Sequence, residues 1–126
     1  MEREKHIRPW GNFEILATGP GYKVKRLVVD PGKRTSLQRH GLRGEDWVIV
    51  SGSGEVTARF EESSQTYPAR YQSHHFLPKT MIHRIHNTGT EPLVIIEVQT
   101  FDADNLSGED DIHRLEDDYG RVKDGE

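Results

Sequence analysis

The 126-residue chain contains no cysteine. Disulfides, thiolate metal sites and cysteine nucleophiles are therefore excluded, and the composition fits a reducing compartment. No apolar run approaches the roughly 18 residues that a membrane helix needs, and the start, MEREKHIRPW, is charged throughout. Neither a signal peptide nor an anchor is visible. The expectation is a cytoplasmic protein with no membrane partner. Apolar residues are scarce, at 33%, which predicts one thin-cored domain with a polar surface. A concentrated basic surface is lacking as well. Residues 1–100 hold 14 Lys and Arg against 11 Asp and Glu, a balance of +3, whereas residues 101–126 hold 3 against 10, a balance of −7. An acidic tail and a body without a basic-aromatic cluster argue against nucleic acid as a partner. A small ligand or a second copy of the chain is expected instead.

Helical periodicity is absent from residues 1–104. In its place are period-two segments rich in Val, Ile, Thr and aromatics: FEILA (13–17), YKVKRLVVD (22–30), DWVIVS (46–51), EVTARF (55–60), SHHFL (73–77), HRIHN (83–87) and PLVIIEVQT (92–100). Each reads as a strand. Turn chemistry at TGPG (18–21), DPGK (30–33), SGSG (51–54) and NTGTEP (87–92) separates them. Short strands at regular spacing mean an all-β sandwich or barrel, here over about residues 8–101. After Phe101 the pattern changes. In SGEDDIHRLEDDYG (107–120), Ile112, Leu115 and Tyr119 fall at helix-compatible intervals, with Ser107 as a cap. This predicts a short C-terminal helix, or an ordered tail, over part of residues 102–126.

The polar residues of interest lie in SLQRHGLRGEDW (36–47). On a strand, Gln38 and His40 project from one face, because side chains alternate with period two. A turn over residues 41–44 lets Glu45 open a neighbouring strand about 4.8 Å away, and His83 begins another. One amide oxygen, one carboxylate and two imidazoles suit Zn²⁺, Co²⁺, Ni²⁺ or Mn²⁺. By spacing alone, solvent-facing polar positions on amphipathic strands explain the same residues.

The motif arrangement resembles a known superfamily. Gly32, Gln38, His40, Glu45 and Gly52 match the spacing of the first cupin motif, with Gln38 at the place of its first histidine. Pro78, His83 and Asn87 echo the second motif, whose two glycine positions hold Gln72 and Thr80. RPWG (8–11), GYKVKRLVV (21–29), SLQRH, EDWVIVSG (45–52), PLVIIEVQT and GEDDIHRLEDDYGR (108–121) are further similar to the isomerase domain of type II mannose-6-phosphate isomerases. The resemblance runs from Arg8 to Arg121 and is weakest over residues 61–73. In that family the domain often ends a bifunctional mannose-1-phosphate guanylyltransferase, whose glycine-rich nucleotide-binding domain this chain lacks, so guanylyltransferase activity is not expected from it.

The resemblance implies a double-stranded β-barrel, a cupin jelly roll, with a divalent metal (zinc first; cobalt, nickel or manganese as alternatives) held by Gln38, His40, Glu45 and His83. It also implies interconversion of mannose 6-phosphate and fructose 6-phosphate, with a homodimer formed by sheet augmentation. The family's Gln-x-His pair makes Gln38 a normal ligand. The chain departs at Gly41, Leu42 and Asp46, where the family carries histidines, and these departures motivate a second reading as a non-catalytic sugar- or metabolite-binding cupin. A cupin oxygenase fits less well, since Gln38 departs from a histidine-rich iron site.

Aldose–ketose isomerisation requires a base that moves a proton between C1 and C2 and an electrophile for the developing oxyanion. The candidate catalytic residues are Glu97, Lys23 and Arg43, with His74 and Lys25 as further bases. Lys23 and Lys25 read equally as an exposed strand face. Glu97, isolated in an apolar strand, is costly unless partnered. Trp10, Arg84 and Arg121 are the candidate sugar-phosphate contacts, although Arg84 alternates away from His83.

Overall fold

The computed structural model describes residues 3–104, 108 and 111–122. Eleven strands are present among them: β1 (Lys5–Arg8), β2 (Gly11–Gly19), β3 (Tyr22–Val29), β4 (Leu37–Arg39), β5 (Arg43–Ser51), β6 (Ser53–Phe60), β7 (Ser63–Arg70), β8 (His74–Leu77), β9 (Ile82–Asn87), β10 (Leu93–Phe101) and β11 (His113–Glu116). They form two antiparallel sheets, ordered β1-β2-β3-β10-β5-β8 and β11-β4-β9-β6-β7. The sheets face each other as a jelly roll, and among the described residues no ladder joins their edges into a closed cylinder. No described helix is long and apolar enough to cross a membrane.

Period-two alternation does what the sequence patterns predict. Along β10, Leu93, Ile95, Glu97 and Gln99 are buried while Val94, Ile96 and Val98 are only half-buried. Register extends this alternation into rows across the first sheet. Leu27, Ile95 and Ile49 lie side by side, then Lys25, Glu97 and Trp47, then Lys23, Gln99 and Glu45. One end of the inner face is therefore hydrocarbon and the other end polar. Trp10, Phe13, Leu27, Val29, Trp47, Ile49, Val56, Ile85, Leu93 and Ile95 pack the apolar end into a continuous core. At the base of that core Asn87 is fully buried. It donates to the carbonyls of Val29 and Glu91, both at 2.8 Å, and accepts from Gly89 N at 2.9 Å, tying the β9–β10 turn to β3.

Among the described residues the C-terminal helix is not formed, and the segment is an ordered tail. Residues 113–116 instead add β11 to the edge of β4, pairing His113 with Arg39 and Arg114 with Gln38. The three-residue β4 presents unpaired backbone groups, and satisfying them outweighs the helical spacing of Ile112, Leu115 and Tyr119. The expected cap, Ser107, lies outside the described residues. Besides β11 and the three-residue β4, two further strands are absent from the segments read as strands in the sequence. β1 is too short to show a period, and β7 has only Ala69 buried, because SSQTYPAR is an exposed sheet edge where Pro68 is tolerated.

Gln72 and Thr80, the two positions where the second motif has glycine, both have φ of 68°. A β-branched residue in the left-handed region is an outlier. Thr80 is held there by its N–H, which donates to the His40 carbonyl at 2.9 Å. Relief of that strain, about 1–2 kcal/mol, exceeds the extra backbone entropy of glycine, about 0.5–1 kcal/mol. Thr80→Gly is expected to raise unfolding free energy by up to about 1 kcal/mol. Gly52→Ala, at φ 89° with a Cβ only 2.6 Å from the Pro92 carbonyl oxygen, is expected to lower it by more than that. Urea denaturation of both variants checks the opposite signs.

Candidate metal centre and its cavity

The polar rows of the two sheets meet at one place. Gln38 pairs with His83 in the second sheet, and Arg114 lies across from Gln38 on the other side. Opposite them stands the Lys25–Glu97–Trp47 row, and the rings of Trp47 and His83 touch edge to face with centroids 5.5 Å apart. His40, just past β4, brings its ring within 5.2 Å of His83. Ligating atoms of His40, Glu45 and His83 all fall within 4.8 Å of one another, and all three residues are buried.

Both imidazoles are oriented by backbone. His40 Nδ1–H donates to the Asp111 carbonyl at 2.7 Å and His83 Nδ1–H to the Met81 carbonyl at 3.0 Å. A carbonyl only accepts, so each ring carries its proton on Nδ1 and turns the Nε2 lone pair inward. Those lone pairs face Glu45, with His40 Nε2 3.2 Å from Oε2 and His83 Nε2 3.7 Å from Oε1. His83 Nε2 is buried without a hydrogen-bond partner. Burial, then the Arg43 charge, lowers the His40 pKa to about 3, and burial lowers that of His83 to about 4. Two neutral imidazoles and a carboxylate therefore converge at separations close to the roughly 3–3.5 Å of donors sharing one ion at about 2.1 Å. The residues fit a divalent cation. Gln38 closes the set with its amide nitrogen 3.4 Å from His40 Nε2 and its oxygen accepting from Ser36 Oγ at 2.6 Å. A half-turn of the amide would exchange these two atoms and present the oxygen as a ligand.

Around this cluster the charges are partnered. Arg43 Nε donates to Glu45 Oε2 at 2.8 Å. The Trp47 indole N–H sits between both carboxylates, 3.2 Å from Glu45 Oε1 and 3.0 Å from Glu97 Oε1. Gln99 donates to the other oxygen of Glu97 at 3.0 Å. Burial, then the neighbouring Glu45 charge, raises the Glu97 pKa to about 7.

A cleft of about 730 Å³, its open mouth included, lies over the cluster. Gln38, His40, Arg43, Trp47 and Glu97 line it beside the core edge of Trp10, Phe13 and Leu27. Arg8, Lys25, Arg114 and Arg121 add positive charge. Arg121 is held by Asp117 through contacts of 2.7 and 3.0 Å.

Of the sequence candidates, the structure brings Gln38, His40, Glu45, His83, Arg43, Glu97, Trp10 and Arg121 together. Arg84 is not among the cavity residues. Alternation turns it to the opposite face of β9, where its Nε donates to the Thr35 carbonyl at 3.0 Å. Lys23 is half-buried in β3 and also does not line the cleft, since it lies one row beyond Lys25. Lys25 is no exposed face residue; it is 4% exposed, with its ammonium 4.0 Å from the Phe13 ring centre. His74 points outward and pairs with Asp46 at 2.8 Å, so Asp46 is no cavity residue either. Arg8, Phe13, Ile112 and Arg114 were missed. Arg8 was signalled only by membership of RPWG, and Ile112 and Arg114 only by membership of the family-specific GEDDIHRLEDDYGR, while Phe13 read as a strand residue of FEILA.

Two facing antiparallel sheets, with an imidazole–carboxylate cluster at their polar end, have the cupin fold. Residues 1–117 match the family described as Mannose-6-phosphate isomerase C-terminal, and the chain belongs to that family. It is 42% identical over 115 residues to the alginate biosynthesis protein AlgA of Pseudomonas aeruginosa, covering 91% of this chain and 22% of that protein. The chain spans less than a quarter of the length of the curated relatives it matches. The capsular polysaccharide assembling protein CapF of Staphylococcus aureus matches in structure with a TM-score of 0.80 at 20% identity, over 91% of this chain and 34% of that one. Bacillus subtilis oxalate decarboxylase, a protein with Mn(II) centres, matches with a TM-score of 0.75 at 22% identity, over 90% and 30%. At such identities the likeness is one of fold.

Between pH 6.5 and about 4, the unfolded metal-free chain takes up protons at His40 and His83 that the folded chain refuses, so acidification favours unfolding. Glu97 acts oppositely between pH 4.5 and about 7, where the folded chain keeps a proton that the unfolded chain releases. Two groups against one leave a net loss on acidification. In the presence of a chelator, the thermal midpoint is expected to fall from pH 6.5 to 4.5 more steeply for the wild type than for His83→Gln. Equal slopes would contradict a buried neutral imidazole at this position.

Proposed function

We propose that the chain carries a metal-dependent sugar-phosphate isomerase site that interconverts mannose 6-phosphate and fructose 6-phosphate. The observation that carries this reading is one cleft, lined by the buried carboxyl group of Glu97 and by the cationic side chains of Arg8, Lys25, Arg114 and Arg121, that lies over a buried His40–Glu45–His83 cluster suited to a cation. Membership of the family supports it. Gln38, His40, Glu45 and His83 would hold the divalent ion, zinc in our reading, with manganese, cobalt and nickel compatible with the same donors. When bound, that ion supplies Lewis-acid stabilisation of the oxygen anion that develops on the substrate.

Glu97 is the base. Its carboxylate takes the proton from C2 of the aldose and returns it to C1 of the enediol, with O1 and O2 exchanging the hydroxyl proton. Burial, the larger cause of the raised Glu97 pKa, persists when an ion is bound and favours a carboxyl that can both accept and donate a proton. Trp47 and Gln99 fix both of its oxygens, so the carboxyl does not swing between the two carbons. Glu45, bonded to Arg43 and Trp47 and facing two imidazoles, serves as ligand. Arg8, Lys25, Arg114 and Arg121 offer charge for a phosphate, and Trp10 and Phe13 an apolar wall for carbon-bound hydrogens.

The test is a coupled assay on protein loaded separately with zinc, cobalt, nickel and manganese. Fructose 6-phosphate is expected to form, and Glu97→Gln is expected to lower kcat by roughly 10²–10⁴-fold while the protein still binds mannose 6-phosphate. Binding without turnover by the wild type under all four metals would reject the isomerase.

A further inference from the structure

Within segment 111–121, one residue bonds directly to the loop that carries the ligand His40. Asp111 makes three contacts to the loop that follows β4: its carbonyl accepts the His40 Nδ1–H at 2.7 Å, and its two carboxylate oxygens accept Gly41 N–H and Leu42 N–H, each at 3.0 Å. Two successive amides and the adjacent imidazole are thus bound to one residue that lies 71 positions away from His40. Nothing on β4 itself does this job, since that strand ends at Arg39 and leaves residues 40–42 without ladder partners. From the other side, only Thr80 N–H bonds the His40 carbonyl among the described backbone contacts.

We infer that Asp111 is a positioning residue for the ligand His40, clamping residues 40–42 so that Nε2 points at Glu45 and His83. The carboxylate fixes the loop, and the fixed loop keeps the imidazole in line with the Asp111 carbonyl that selects its tautomer. Gly41 and Leu42, where the chain departs from the histidine-bearing pattern of its relatives by resemblance, contribute through backbone N–H groups, which any side chain leaves available. The C-terminal segment is in this sense part of the metal centre. Groups that orient a ligating histidine typically govern 10–100-fold in metal affinity.

The inference rests on the metal reading of the cluster and is separable from the isomerase reading, because its readout is metal binding without turnover. Co²⁺ titration of the apoprotein, followed by its visible absorption, gives affinity and ligand field together. Asp111→Ala is expected to weaken Co²⁺ binding by about 10–100-fold and to alter the spectrum, and Asp111→Asn, which keeps one acceptor oxygen, to lie between. Asp118→Ala is the control. It removes the 2.7 Å pair that ties the same segment to Arg34 and touches no ligand, so its affinity is expected to stay within a factor of about three of the wild type. Hydrogen exchange at the Gly41 and Leu42 amides is expected to accelerate in Asp111→Ala and not in Asp118→Ala. Wild-type affinity in both Asp111 variants, or equal losses in Asp111→Ala and Asp118→Ala, overturns the clamp. If Asp111→Ala does not fold by circular dichroism, Asp111→Asn decides by the same criteria. Failure of the wild type to bind Co²⁺ overturns the clamp and the metal centre together, whereas metal binding with no isomerisation leaves the clamp standing.

Discussion

A carboxylate with 1% exposure has to be compensated, and the structure around Glu45 is organised by that requirement. Arg43 supplies one charge-assisted bond and Trp47 a second, weaker donor. The remaining lone pairs face two imidazoles that burial keeps neutral, and a second carboxyl group stands close by on β10. Neutral imidazoles do not cancel a negative charge; they supply lone pairs. A pocket with carboxyl oxygens and inward lone pairs in excess of donors attracts a small hard-to-borderline cation. The protonation preference of Glu97 has the same origin, because Glu45 leaves little room for another full negative charge.

The barrel frame makes such a pocket tolerable. Along each inner strand the residues change from hydrocarbon to polar over two or three alternations, as in the run Leu93, Ile95, Glu97, Gln99. The apolar rows pack and exclude water, and the polar rows inherit their rigidity. Register is decisive here. A slip of one residue on β10 would place Val98 and Ile96 inside and Glu97 and Gln99 outside, removing both the candidate base and the group that holds it. The bulge between Val94 and Ile95 sits at the apolar end of this strand and leaves the polar register intact.

The ends of the chain finish what the barrel leaves open. β1 brings Arg8 to the cleft, and the segment through β11 brings Ile112, Arg114 and Arg121. Arg34–Asp118 and the Tyr119 hydroxyl donating to the Arg34 carbonyl at 3.1 Å hold that segment down. Helix formation there would have left the β4 edge unpaired and withdrawn these cations. The sequence reading of a helix failed because three apolar residues at intervals of three and four also suit a strand followed by a turn, and only the neighbouring edge distinguishes the two.

Strand content, the sheet-rich class and the shared face of Gln38 and His40 were determined by the sequence alone. Each follows from alternation, which is local and needs no knowledge of neighbours. Glu97 was also legible as an anomaly, one charge in an apolar strand. Tertiary structure decided which polar residues meet. Lys25 reads like an exposed lysine until β10 sets Glu97 beside it, whereas the turn of Arg84 away from His83 was already legible in the alternation. Arg114 reaches the cleft, and Asp111 reaches the His40 loop, through pairings between segments distant along the chain. Such pairings depend on register and on how two sheets stack, and a one-dimensional pattern carries neither.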